Sequence, residues 1–160
     1  MSKVTLTTPR QAVVAVLAGA LLMGGGLAIY DRLAAYPPVV PWTVPVALGV
    51  VSLVGIVYAL CIPKRLEERK LGSQEAMVAL ITGKAMVLSG AALAGANTVY
   101  VMKFVSAIEA ETPLQRVIHG GGTLVASILL AVAGSMIEHR LRIQQPPDEK
   151  DTHHADATVA

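Results

Sequence analysis

The chain has 160 residues, of which 54% are hydrophobic and only 15% charged. Polar residues collect between long apolar runs instead of forming a polar face along each helix, which excludes an ordinary water-soluble domain. A net charge of +2 is too small to argue for a nucleic-acid partner, and the single cysteine, Cys61, excludes an internal disulfide and a cysteine metal cluster.

Four apolar runs occupy residues 12–30, 44–62, 76–102 and 117–137. Each approaches the ~20 residues that a helix needs to cross the hydrocarbon core. In lipid every backbone N–H and C=O must be paired within its own segment, so the runs are predicted as helices. The alternation of a membrane β-barrel strand is absent. The expected fold is all-α and membrane-integral: an up-down four-helix bundle with spans at about 10–31, 43–62, 75–102 and 113–141.

Residues 1–8 form a cytoplasmic N-terminus in this reading. Thr8-Pro9-Arg10-Gln11 then writes a helix start: Thr caps, Pro suits the first helical position, and Gln reaches back to the cap. Lys3 and Arg10 precede the first run as in a signal peptide. The run is longer than a signal core and no small-x-small site follows, so it reads as an uncleaved anchor. Its Gly24-Gly25-Gly26 triplet is a candidate for close helix packing.

The first connection, Tyr36-Pro37-Pro38-Val39-Val40-Pro41-Trp42, favours extended backbone and reads as a stiff outer link pinned by Trp42. Thr43 is a candidate cap for the second helix, with Pro45 in its first turn. Cys61, in an apolar run, reads as an inert packed thiol. Lys64-Arg65-Leu66-Glu67-Glu68-Arg69-Lys70 mixes signs; it is suited to continue the second helix past Pro63 and to touch anionic headgroups.

The third run holds the only charge within the four, Lys84. It lies roughly 12 Å inside the helix start at about 1.5 Å per residue. A lysine near the bilayer centre costs about 2.5–3.5 kcal/mol on insertion scales. Helical side chains lean toward the helix N-terminus, so Lys84 snorkels toward the near surface. Glu138, near the end of the antiparallel fourth helix, leans toward it from roughly 6 Å away in depth. Lys84 and Glu138 are therefore a candidate intramembrane pair, against the plainer alternative of two separately solvated side chains.

Further along, Gly90 and Gly95 punctuate a stretch of small residues suited to backbone approach. Asn97 and Tyr100, with His119 of the fourth helix, form a candidate outer polar cluster. Thr112-Pro113-Leu114-Gln115 repeats the first helix start and places the fourth near Pro113. That helix carries a second triplet, Gly120-Gly121-Gly122, another packing candidate. These triplets lack the strand and Lys-Ser/Thr of a phosphate loop. Residues 143–160, opened by Pro146-Pro147, are polar and expected to be a disordered cytoplasmic tail; His153-His154 is too slight for a metal site.

Basic residues settle the expected orientation. Nine Lys and Arg fall in the two termini and the second connection, against three in the other two connections. The rule that positive charge stays inside puts both termini in the cytoplasm of a plasma-membrane protein. No Ser–His–Asp set, paired-carboxylate site or metal-spaced cluster emerges, so no catalytic residue, cofactor or metal is assigned.

In order along the chain, Thr8-Pro9-Arg10, the Pro-Pro-x-x-Pro-Trp loop at 37–42, Lys84-Ala85, Leu88-x-Gly90-Ala91-x-x-x-Gly95 and Glu138 closing the last helix resemble an uncharacterised actinobacterial membrane family, domain of unknown function 3180, over about residues 5–147. Where that family's pattern suggests a Trp and a Cys flanking the final Glu, this chain has Ser135, Met136 and Leu141. The resemblance implies a four-span plasma-membrane protein of a high-GC Gram-positive bacterium, often encoded beside folate-biosynthesis genes, and carries no catalytic residues. Two functions follow as expectations. One is a non-enzymatic accessory or structural subunit whose partners are the lipid bilayer and another membrane protein or a second copy. The other is a small transporter or lipid- or solute-binding protein that uses the Lys84–Glu138 pair.

Overall fold

The computed structural model describes residues 7–33, 40–67, 72–105 and 111–142. They form four helices: α1 (Pro9–Arg32), α2 (Thr43–Glu67), α3 (Ser73–Val105) and α4 (Glu111–Arg142). All four are long and apolar enough to cross a membrane. The expected disordered tail with His153-His154, residues 34–39 of the proline-rich connection and residues 68–70 of the mixed-charge connection lie outside the described residues.

Local chemistry explains the ends. At α1, Thr8 Oγ1 accepts from the Gln11 backbone N–H at 3.3 Å, and Gln11 Oε1 accepts from the Thr8 N–H at 3.1 Å. This is the reciprocal cap that the sequence predicts, with Pro9 opening the helix. The fourth helix differs from expectation: it begins at Glu111, two residues before Pro113. The first four N–H groups of any helix lack internal partners, so proline is tolerated through the first turn and marks the start only loosely. Helix α2 runs through Pro63 to Glu67; Pro63 lacks the N–H that would bond the Ala59 carbonyl and its ring crowds that carbonyl, so the helix continues past it at a local cost.

The helices alternate in direction, but their order in space is α1–α3–α4–α2. The register of each contact gives the directions. Leu27 packs with Tyr100, and Asp31 pairs with Lys103 at 2.5 Å, so α1 and α3 run parallel. Gly83 meets Gly134, and Gly90 meets Ala131, so α3 and α4 run antiparallel. Ser52 lies against Ala126, and Gly55 against Ala133, so α2 and α4 run parallel. Below, "proximal" denotes the end where α1 and α3 begin, and "distal" the opposite end. Among the described residues no backbone contact joins α1 to α2; the up-down bundle is open there.

The α3–α4 seam is the core. Gly83 and Gly90 on α3, and Gly120, Ser127 and Gly134 on α4, recur every seven residues. That spacing keeps small residues on one face and lets two backbones approach. A methyl on Gly134 would sit 2.5 Å from the Gly83 carbonyl oxygen, and one on Gly90 2.6 Å from the Ala131 nitrogen. Helix α1 crosses α3 equally closely: Cβ atoms on Gly19 and Gly95 would collide with the carbonyl oxygens of Ala92 and Val16. Buried hydroxyls are satisfied locally, with Ser127 donating to Thr123 at 2.7 Å and Ser52 to Leu48 at 2.6 Å. Cys61 is exposed on the outer side of α2, which corrects the packed-thiol expectation. That helix buries Ser52, Gly55, Ala59 and Ile62 at helical spacing, and position 61 falls on the other side.

Candidate functional site

Among the described residues the most confined charge is Glu138, only 4% exposed at the proximal end of α4. Its carboxylate is held by Thr7, just ahead of the α1 cap. The Thr7 backbone N–H donates to Oε2 at 2.8 Å, and the Thr7 hydroxyl donates to Oε1 at 2.5 Å. Hydrogen bonds to a charged acceptor are the short, strong kind. Beside them Thr8, Pro9, Ala12, Val87, Ser135 and His139 line a cleft of about 380 Å³ with mixed polar and apolar walls. Sequence reasoning named Glu138 but missed Thr7, whose partner is 131 residues away.

Lys84 is half-buried and has an interaction partner. It follows Gly83, where α3 crosses α4 at Gly134, and Glu138 lies one turn beyond Gly134. Both members of the candidate pair thus flank the same close crossing. Among the described residues no group of three or more His, Cys, Asp and Glu side chains is placed to hold a metal.

The outer candidates go to separate partners near the distal end. Asn97 Nδ2 donates to the Leu93 carbonyl of its own helix at 2.9 Å. Tyr100 meets Phe104 edge-on at 5.1 Å and covers Gly120, where an added methyl would lie 2.8 Å from its ring. His119 Nδ1 lies 2.7 Å from the Val40 carbonyl, and its ring is 4.6 Å from that of Trp42. Trp42 therefore packs the end of the first connection against α4. Arg116, which the sequence presents as a topological charge, is buried with its guanidinium 4.9 Å from the Phe104 ring centroid, a cation–π arrangement.

The candidate packing glycines divide sharply. Gly90, Gly95 and Gly120 lie in tight contacts, whereas Gly24 and Gly122 reach neighbours only at 3.7–3.9 Å. Added methyls at Gly25, Gly26 and Gly121 would meet nothing within 4 Å. The close approaches at Gly19, Gly55, Gly83 and Gly134 escaped the sequence reading, although the seven-residue spacing of Gly120, Ser127 and Gly134 carries the signal.

The comparisons add a family. The model described as "Protein of unknown function (DUF3180)" matches residues 11–145. The chain belongs to that family. No curated protein and no solved structure matches it. The match spans all four helices and includes Lys84 and Glu138; Thr7 and Thr8 lie just ahead of it.

Proposed function

We propose that this family member is a multi-pass plasma-membrane protein with both termini in the cytoplasm. In this reading it acts without catalysis, as an accessory or structural subunit that grips a second membrane chain by helix packing. One observation carries the reading. Among the described residues the backbone of helix α1 packs on α3 alone and the helix leaves much apolar surface open, with Leu21 75% and Leu22 78% exposed. The glycines beside them, Gly25 and Gly26, have open space where a side chain would be. Small residues on a lipid-facing stripe let a second helix backbone come close. The positive-inside count supports the orientation.

Gly25→Ile tests this directly. An added Cβ at Gly25 meets nothing within 4 Å among the described residues, so the fold should persist while association is lost. The wild type, extracted in mild detergent, should run as a complex, and a photo-crosslinker at Leu21 should capture a second polypeptide. Gly25→Ile should release a single chain of unchanged Tm. A wild type that is already a single chain, with only lipid adducts from Leu21, would refute the accessory role.

A second reading, a lipid- or solute-binding protein built on a Lys84–Glu138 pair, draws on one fact: a buried carboxylate beside a cleft of mixed polar and apolar lining.

A further inference from the structure

Helices α2 and α3 both pack on α4, yet their backbones do not approach one another. The gap between them is a groove of about 340 Å³, floored by Gly55 and Ala79 and walled by Val51, Val54 and Met86. Its volume falls within the range of small-molecule sites. Val51 and Val54 are exposed, so the groove opens sideways, toward lipid rather than water. Its proximal end is polar: Tyr58 Oη donates to Glu75 Oε1 at 3.4 Å.

We propose that this groove holds one acyl chain of a phospholipid bearing a primary amine, with the protonated amine on Glu75. The apolar walls suit a hydrocarbon chain, and the medium at the groove mouth supplies one. Charge selects the headgroup. Glu75 sits in the first turn of α3, where the helix dipole favours negative charge, and it lines the groove. A carboxylate accepts about four hydrogen bonds, so the bond from Tyr58 does not exclude an ammonium beside it. A primary amine is the cationic group of phosphatidylethanolamine, and that lipid is the occupant proposed.

The test uses the full-length protein and native mass spectrometry with equimolar phosphatidylethanolamine and phosphatidylglycerol of identical acyl chains. The wild type should retain phosphatidylethanolamine with about fivefold preference, the size expected of one interfacial charge contact. Glu75→Gln should bring the two lipids to parity. Val54→Trp should plug the groove and lose bound lipid, whereas Leu53→Trp, equally exposed but off the groove lining, should not. Equal retention by the wild type, a preference that survives Glu75→Gln, or equal behaviour of the two tryptophan variants would each overturn the assignment.

Discussion

Glu138 shows how one side chain joins distant parts of the sequence. Its oxygens take both the backbone N–H and the hydroxyl of Thr7, so the start of α1 is fastened to the end of α4. Thr7→Val removes one charge-assisted bond and should cost about 1.5–3 kcal/mol, read as a lower Tm in detergent; an unchanged Tm would show that the backbone bond suffices. The proposed Lys84–Glu138 pair has its own check. Lys84→Met and Glu138→Gln should be non-additive in a double-mutant cycle if the side chains interact, and additive if each is satisfied elsewhere. Both charges are legible in the sequence, because a lysine inside an apolar run and a glutamate closing one stand out by hydropathy alone. Thr7 is not legible: a threonine one residue before a cap carries no periodic signal, and nothing local points to a partner 131 residues away.

Among the elements, helix number follows from the four apolar runs. A run of ~20 apolar residues must satisfy its own backbone, and only a helix does so. Pairing rests instead on isolated glycines. The conspicuous triplets mislead, since Gly25, Gly26 and Gly121 face open space, while single glycines at seven-residue spacing form the seams. Gly95→Val would drive a branched side chain into the Val16 carbonyl of α1. Overpacking of this kind costs typically about 1–3 kcal/mol. The expected outcome is α1 detached from an otherwise intact α2–α3–α4 unit, seen as faster proteolysis of α1 with the other helices protected. Uniform protection throughout would contradict the crossing. The Thr8 cap is a milder case: Thr8→Ala should cost about 1 kcal/mol, read in the same melting assay.

At the scale of the whole molecule, the order α1–α3–α4–α2 was beyond the reach of the sequence. Hydropathy fixes how many spans there are and charge suggests their orientation, but lateral order depends on which small-residue faces fit. The orientation itself predicts that a reporter fused after Ala160 is active only in the cytoplasm; activity on the other face would reverse the proposed topology. The spatial order also bears on how the protein is made. Among the described residues the two helices synthesised first share no backbone contact, so a nascent chain that has released only its first half holds two segments that do not pack on each other. Their docking sites arrive with α3 and α4, which slot in between them. Until then the early helices must wait apart in the bilayer, exposed to quality-control proteases. A gene split in the 68–71 connection should therefore yield a first half that is degraded when expressed alone and rescued when the second half is supplied in trans.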